Sequence, residues 1–515
     1  MLSFATLTNK YYNIVVIQII KTNKTNIEDK NLIDKNLVKA FVVGVTFALS
    51  INISGAFESN TALIAKGEKL TLSDCIKISI ENSPNIKRAA YNYKIAKNDV
   101  SLAKTDFFPT LSLSTGYYHN GTYTKNADIN NHHYNFSANL NQLLFNFGKT
   151  NSRIRMQKFN KIASAYNFDN TVLDTIFDVK VNYYGVLATR ATMEVNRANV
   201  EINERNYQRT KAYFEEGIRS KIDLVNAEVY LSDSKITYIQ SVKNYENAIV
   251  KLNNAMYVAD TPAYEIANTE MFNYSVNEIP INLEKISDKK ELSNLPKDVN
   301  DAALTAGVEQ LAILKDYKFT PFKYTFEECK KLAIENRPDL KAYESTLKAM
   351  EQALSYTKRE YLPELVGTVG YGYRDHTRTN SVNASIGMQT SINIAQEKFK
   401  IDNSKLQVEL AKNDINLLKQ NIYFEVQNAY INMIQLEKEI PLMAVKVRQT
   451  RENFELADGR YSVGLGDYIE LQDAKQNYNT AQNSYVHAVY DYNVARANLE
   501  RLIALPQEIT ITVED

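Results

Sequence analysis

The chain is poor in the residues that interrupt regular structure: its 515 residues include 16 glycines and 10 prolines, and tryptophan is absent. A protein built of many short strands and turns would need more glycine and proline, because these two residues form most tight turns. Their scarcity favours long helices. The mean hydropathy of −0.37 excludes a protein made of several transmembrane helices.

An excess of charge of either sign is also missing, since 60 lysines and arginines balance 60 aspartates and glutamates. This balance argues against a nucleic-acid-binding protein that depends on bulk positive charge. It argues equally against a protein held at a membrane surface by a polybasic patch.

Residues that carry chemistry are few. The chain has five histidines and two cysteines, and Cys75 and Cys329 lie too far apart for the spacing of zinc ligands. The sequence contains no HExxH, GxSxG, GxxxxGK(S/T) or GxGxxG motif. We therefore predict that the protein is not an enzyme and has no catalytic residues, no cofactor and no metal site.

The amino-terminal region, residues 1–56, has the pattern of an extension followed by a signal peptide. Its apolar run, Ala40–Ile53, follows several lysines and precedes Ser54-Gly55-Ala56. Basic, apolar and small residues in this order are typical of a secretory signal. A membrane anchor is the alternative, but the run is shorter than the roughly 20 residues that a helical span needs.

The remainder of the chain is an internal repeat. Residues 71–117 align with 325–371, and the segment around Gly217 aligns with the segment around Gly464. The first alignment superimposes Cys75 on Cys329, Pro84 on Pro338 and Pro109 on Pro363.

The repeat predicts the domain organisation. We expect a first repeat at 57–258, an insertion at 259–320, a second repeat at 321–507 and a short tail at 508–515. The insertion has three prolines, mixed charge and no clear period. We interpret it as an equatorial segment packed outside the helices.

Prolines and the tip glycine delimit four helices in the first repeat. They are predicted at about 72–82, 84–108, 149–216 and 221–258. The last of them has apolar or small residues in steps of 3 and 4, which is the coiled-coil period. The second and fourth helices together are nearly as long as the third, so we expect both to lie along it.

Two pairs of segments alternate between apolar and polar residues, the pattern of strands with one apolar face. They predict strands at about 111–124, 134–147, 365–374 and 381–394. Four strands cannot close a barrel, and an open sheet edge is not stable in lipid. Strands that cross a membrane would therefore belong to a barrel shared by several chains; a half-exposed sheet in a soluble protein is the alternative.

Together these features resemble the TolC-like outer-membrane efflux and export protein family over about residues 70–507. The resemblance depends on the duplication and on two similar helix starts, Glu81-Asn82-Ser83-Pro84 and Glu335-Asn336-Arg337-Pro338. It depends also on the tip sequence RYSVGLGDYIELQDA at 460–474 and on Leu144-Phe145-Asn146-Phe147-Gly148, which resembles the family's junction between strand and long helix.

The resemblance implies a fold of mixed α and transmembrane β structure. A long α-helical coiled-coil barrel would continue into a 12-stranded β-barrel, shared by a homotrimer with four strands per chain. The protein would lie in the outer membrane of a diderm bacterium, with its helical domain in the periplasm.

The resemblance also implies a function, the exit duct of a tripartite efflux or type I secretion system. The partners would be outer-membrane lipid, a periplasmic adaptor protein and an inner-membrane transporter of the RND, ABC or MFS type, and no nucleic acid. The alternative is a periplasmic or surface coiled-coil scaffold or adhesin without a pore. It accounts for the helical periodicity but not for the strand alternation or the matched helix lengths.

Residues near the two tips acquire roles from the resemblance. Asp223 and Tyr461 match the family's closing latch, and the arginine partner of that latch falls on Gly466 here. Glu470 and Asp473 match the channel constriction, where a threefold axis would turn them into rings of carboxylates that attract cations. Two solvated surface charges are the alternative. The adaptor-docking tips would comprise Gly217, Ile218, Val463, Gly464 and Leu465.

Overall fold

The computed structural model describes residues 64, 67–124, 127–259, 263–267, 322–374 and 378–505. The signal peptide expected within 1–56, most of the insertion at 259–320 and the tail at 508–515 lie outside the described residues. Among the described residues, no helix combines the length and the apolar character needed to cross a bilayer.

The first repeat alternates short helices, paired strands and long helices. A 3₁₀ turn, Thr105–Phe107, follows its second helix. Its described elements and the strand that follows them are β1 (Lys69–Leu70), α1 (Leu72–Asn82), α2 (Pro84–Lys104), β2 (Thr110–Thr124), β3 (Ala127–Phe145), α3 (Lys149–Glu215), α4 (Lys221–Met256) and β4 (Glu265–Ile266).

The second repeat has the same order of helices and long strands. Its long helix has 69 residues against 67 in the first repeat, so both extend about 100 Å. The described elements are α5 (Phe326–Asn336), α6 (Pro338–Thr357), β5 (Glu364–Arg374), β6 (Thr379–Gln389), α7 (Ile394–Ser462) and α8 (Tyr468–Leu502).

The helices α1 and α5 begin alike because each has a capping box. Thr71 accepts a hydrogen bond from the backbone N–H of Asp74, whose carboxylate accepts one from the backbone N–H of Thr71. Thr325 and Glu328 form the same pair at α5. A proline then occupies the first position of α2 and of α6, where no intrahelical N–H is required.

Two strand boundaries differ from the prediction. β3 begins at Ala127 rather than near 134, because the mostly polar residues 128–133 pair with β2 although they show no apolar alternation. β6 ends at Gln389 rather than at 394, and the side chain of Asn393, expected in the strand, instead caps α7. Backbone pairing and a helix cap decide these boundaries, and side-chain alternation reports neither of them.

The four long strands form one antiparallel sheet in the order β2-β3-β5-β6. Pairing of β3 with β5 joins the two repeats and includes an irregularity between Leu143 and Phe145. β2 and β6 are the outer strands, and in the described residues each pairs on one side only. The sheet of a single chain is therefore open at both edges.

The helices form a layer in which each long helix contacts the shorter helices of its repeat. Both α2 and α4 pack along α3, and both α6 and α8 pack along α7, as the matched lengths predict. The shorter helices α6 and α8 also contact α3, and these contacts join the repeats. The layer thus has two outer edges, α2 with α4 on one side and α7 on the other.

The described start of the insertion lies against the first repeat. β4 pairs in parallel with β1. The hydroxyl of Tyr183 on α3 donates to the carbonyl oxygen of Ala267 at 2.7 Å, and Arg190 donates to that of Ile266 at 2.9 Å. This part of the insertion is a short strand held by α3, which the absence of a period in the sequence did not indicate.

Cys75 and Cys329 lie in two separate hydrophobic cores, one in each repeat. Both thiols are free and fully buried. Burial raises the pKa of Cys75 to about 12 and that of Cys329 to about 11, so neither is a thiolate near neutral pH. Both serve as small apolar residues.

Candidate gate and docking tips

Each repeat has a tip where its long helix turns into the returning helix. We call residues 216–220 the first tip and residues 463–467 the second tip. Gly217 and Gly464 have φ angles of 76° and 81°, in the left-handed region that glycine adopts without the steric cost of a Cβ atom. The two tips are therefore built on the same backbone turn.

The returning helices are capped in the same way. The hydroxyl of Ser220 accepts a hydrogen bond from the backbone N–H of Asp223, and the carboxylate of Asp467 accepts one from that of Glu470. Asp223 and Glu470 thus hold equivalent positions, the third residue of α4 and of α8. Carboxylates at this position are stabilised by the positive end of the helix dipole.

Tyr461 is fully buried beside the first tip. Its hydroxyl shares a hydrogen bond of 2.9 Å with Thr210. The guanidinium carbons of Arg219 and Arg209 lie 4.6 Å and 5.2 Å from the centre of its ring. Burial raises the pKa of Tyr461 and Asp223 adds to this, whereas Thr210 and the two arginines oppose it; the phenol stays neutral near pH 7.

Asp223 and Tyr461 have different hydrogen-bond partners within one chain. The carboxylate of Asp223 accepts a hydrogen bond of 3.1 Å from the hydroxyl of Ser220, whereas the hydroxyl of Tyr461 pairs with Thr210. Asp223 therefore acts on Tyr461 through its charge, which raises the pKa of the phenol.

Glu470 and Asp473 lie one helical turn apart on α8 and are both exposed. The neighbouring Leu471 and Ala474 are buried against the helical layer, so the two carboxylates lie on the open side of α8. Glu470 is 3.5 Å from the guanidinium of Arg460. This ion pair neutralises part of the charge of Glu470.

The remaining predicted tip residues present an apolar surface. Ile218 of the first tip is 59% exposed, and Val463 and Leu465 of the second tip are 68% and 78% exposed. Gly217 and Gly464 are exposed beside them. Such apolar side chains clustered at a helix turn favour contact with another protein.

Sequence reasoning missed Lys475, which is 4% exposed on α8. Its ammonium group donates hydrogen bonds to the side-chain oxygens of Asn203 on α3 and of Gln472, and it lies 5.7 Å from the ring of Tyr230 on α4. Burial lowers its pKa to about 8. Lysines are usually exposed, and only the packing of α8 against α3 reveals this one.

The groups around Tyr461 were missed as well. Thr210, Arg209 and Arg219 come from the first repeat, whereas Tyr461 comes from the second. No spacing in the sequence connects residues this far apart. A hydroxyl at position 210 and two arginines near the first tip were the only signals available.

Comparison with known families gives an extended match. A model of the family described as "Outer membrane efflux protein" matches residues 75–256 and 330–505, which is most of both repeats. The outer membrane protein TolC of Vibrio cholerae is 25% identical over 207 residues, corresponding to 38% of this chain and 44% of the relative. The match thus spans less than half the length of that relative.

Solved structures resemble the fold over nearly its whole length. The CmeC outer membrane channel of Campylobacter jejuni covers 84% of this chain and 85% of its own, with a TM-score of 0.65 and 14% identity. The open state of the MtrE outer membrane channel of Neisseria gonorrhoeae covers 88% and 95%, with a TM-score of 0.63 and 17% identity. At these identities the likeness concerns the fold.

Proposed function

The chain belongs to the outer membrane efflux protein family, and we propose that it is the exit channel of a tripartite efflux or type I secretion system. Three copies would form a conduit that passes substrates from an inner-membrane transporter across the periplasm and the outer membrane. It acts by providing a path, and no step of the proposal requires a catalytic group.

The open sheet is the observation that carries this proposal. Among the described residues, β2 and β6 each pair with a strand on one side only, and lipid provides no hydrogen bonds to satisfy an open sheet edge. If β6 of one chain pairs with β2 of the next, three chains close a barrel of twelve strands, within the range of known bacterial barrels.

The helical layer supports the same assembly. Both of its outer edges carry exposed apolar residues at coiled-coil spacing, a pattern that favours packing against another helix. On α4 these residues are Ile222, Val225, Val229, Ile236 and Ile239. On α7 they are Phe399, Leu406, Leu410, Leu417, Phe424 and Ile431. Because the two edges differ, contact between them is heterologous, and repeating this contact about a threefold axis closes a ring.

The tips supply the proposed contacts with other proteins. The exposed Ile218, Val463 and Leu465 offer an apolar surface to the hairpin of a periplasmic adaptor. The adaptor would connect the channel to an inner-membrane transporter of the RND, ABC or MFS type. Asp223 and Tyr461 are proposed as parts of the closing latch, and Glu470 and Asp473 as the constriction.

The first experiment is the protein mass in detergent after envelope fractionation, measured by light scattering coupled to size exclusion. A trimer in the outer-membrane fraction is the expected result, because only a shared barrel satisfies the edges of the sheet. A soluble monomer or dimer would contradict the channel and favour the coiled-coil scaffold without a pore.

Neutralising the constriction is expected to weaken the preference of the channel for cations in planar bilayers. Asp473→Asn should lower the cation-to-anion permeability ratio more than Glu470→Gln, because Arg460 already offsets part of the charge of Glu470. The reversal potential under a KCl gradient measures this ratio. Equal ratios in wild type and Asp473→Asn would remove Asp473 from the constriction.

A further inference from the structure

The two tips differ at one equivalent position that has a structural consequence. Alignment of Gly217 with Gly464 places Arg219 of the first tip on Gly466 of the second. The next residues, Ser220 and Asp467, both cap the returning helix, so the backbones correspond on either side of this position. An arginine therefore stands in the first repeat where the second has a glycine.

Gly466 is buried against the end of α7, and a side chain there meets resistance. Its backbone N–H donates a hydrogen bond of 3.0 Å to the carbonyl oxygen of Arg460. A Cβ atom at position 466 would lie 3.1 Å from the Cβ of Arg460 and from the backbone nitrogen of Tyr461. A side chain at position 466 would therefore require these neighbouring groups to shift by a few tenths of an ångström.

Arg219 reaches the position from the other tip. Its guanidinium donates a hydrogen bond of 2.9 Å to the carbonyl oxygen of Gly466. The same group lies 4.6 Å from the centre of the Tyr461 ring, within the distance of a cation–π interaction. One half-buried side chain thus contacts both the turn of the second tip and the tyrosine at the end of α7.

We infer that Arg219 locks the two tips of each chain together and replaces, from the first repeat, the arginine that the resemblance places at Gly466. This inference depends on the proposed function, because it equates the joined tips with the closed channel. Arg219 is a positioning residue, since it acts through Tyr461 and the second tip. The lock lies within one chain, so each chain must break its own contact when the channel opens.

The test compares three variants of the full-length protein in planar bilayers. Arg219→Ala is expected to raise single-channel conductance several-fold, since it removes both the hydrogen bond to Gly466 and the cation over Tyr461. Arg219→Lys keeps a cation, so its conductance should lie between that of Arg219→Ala and the lower value of wild type. Lys221→Ala is the matched control, because it removes one positive charge from an exposed lysine in the first turn of α4.

Protein mass in detergent and apparent melting temperature show whether a variant is still a folded trimer. Both should be the same in Arg219→Ala and wild type, so that a change in conductance reports the tip. Equal conductance of Arg219→Ala and Lys221→Ala, both as trimers, would overturn the inference while leaving the channel in place. Absence of any conductance in wild type and in all variants would instead contradict the proposed function.

Discussion

Leu406→Asp combined with Leu410→Asp on α7 is expected to leave the protein monomeric in detergent. Both leucines are more than half exposed in the single chain, and in the proposed trimer they face the α2 and α4 edge of a neighbour. Burying a leucine contributes about 1.5–3 kcal/mol. A buried carboxylate without a partner costs several kcal/mol. The double change is repeated at three interfaces, so the trimer should be lost.

The control adds the same negative charge beside this edge. Lys405→Gln with Gln407→Asp changes two exposed residues that flank Leu406, each about 100° from it around the helix. The control protein should remain a trimer by light scattering. If the variant with both Leu406→Asp and Leu410→Asp still forms a trimer, α7 does not supply the interface. The proposed assembly would then need another edge of the helical layer.

Lys475→Met is expected to stabilise the protein at pH 7 by about 2 kcal/mol. The lowering of the Lys475 pKa from 10.5 to about 8 corresponds to a cost of roughly 3 kcal/mol for holding the charged group in the folded chain. Loss of its hydrogen bonds to Asn203 and Gln472 offsets part of the gain. The apparent melting temperature of the detergent-solubilised protein should rise by about 2 °C, because the entropy of unfolding grows with chain length.

The pH dependence of stability shows whether the charge of Lys475 causes the difference between wild type and Lys475→Met. Its folded-state pKa is lowered, so between about pH 8 and 10.5 the unfolded chain binds the proton and the folded chain does not. Stability therefore rises with pH through this window, and the full cost is present below it. The advantage of Lys475→Met should shrink as the pH approaches 10.

Lys235, one of the exposed lysines of α4, provides a control for loss of a positive charge. Lys235→Met removes an amine that lies 3.4 Å from Glu204 at the surface, a pair worth at most about 1 kcal/mol. It should neither raise the melting temperature nor alter its dependence on pH. The opposite result would be a lower melting temperature for Lys475→Met than for wild type, by the same amount at pH 7 and at pH 10. It would contradict the inference that burying the charged Lys475 destabilises the folded chain.

Much of the fold was predictable because its signals are local. Proline positions, the tip glycine and apolar steps of 3 and 4 act within one or two helical turns, and they place α1 to α4 within a few residues. The duplication placed Cys75 and Cys329 at equivalent positions, and both are buried. Strand boundaries were less well predicted, because pairing of the mostly polar residues 128–133 depends on β2.

The candidate site was predictable only in part. The sequence placed Gly217 and Gly464 in turns and assigned Asp223 and Glu470 to the tips, but it did not show that both carboxylates also stand at the capped start of a helix. The sequence assigned Tyr461 a role in channel closure but did not identify the residues that contact it. Those partners are chosen by contact in space, which no spacing in a single sequence records.

The sequence by itself determined the elements, their duplication and the family, since each depends on residues close along the chain or on the order of motifs. Tertiary structure alone decided which groups meet between the repeats. Thr210 and Tyr461 are separated by 251 positions and share a hydrogen bond, and Arg219 reaches Gly466 across the same division. Packing of α3 against α8 buries Lys475, because the register between two helices depends on their whole contact surface.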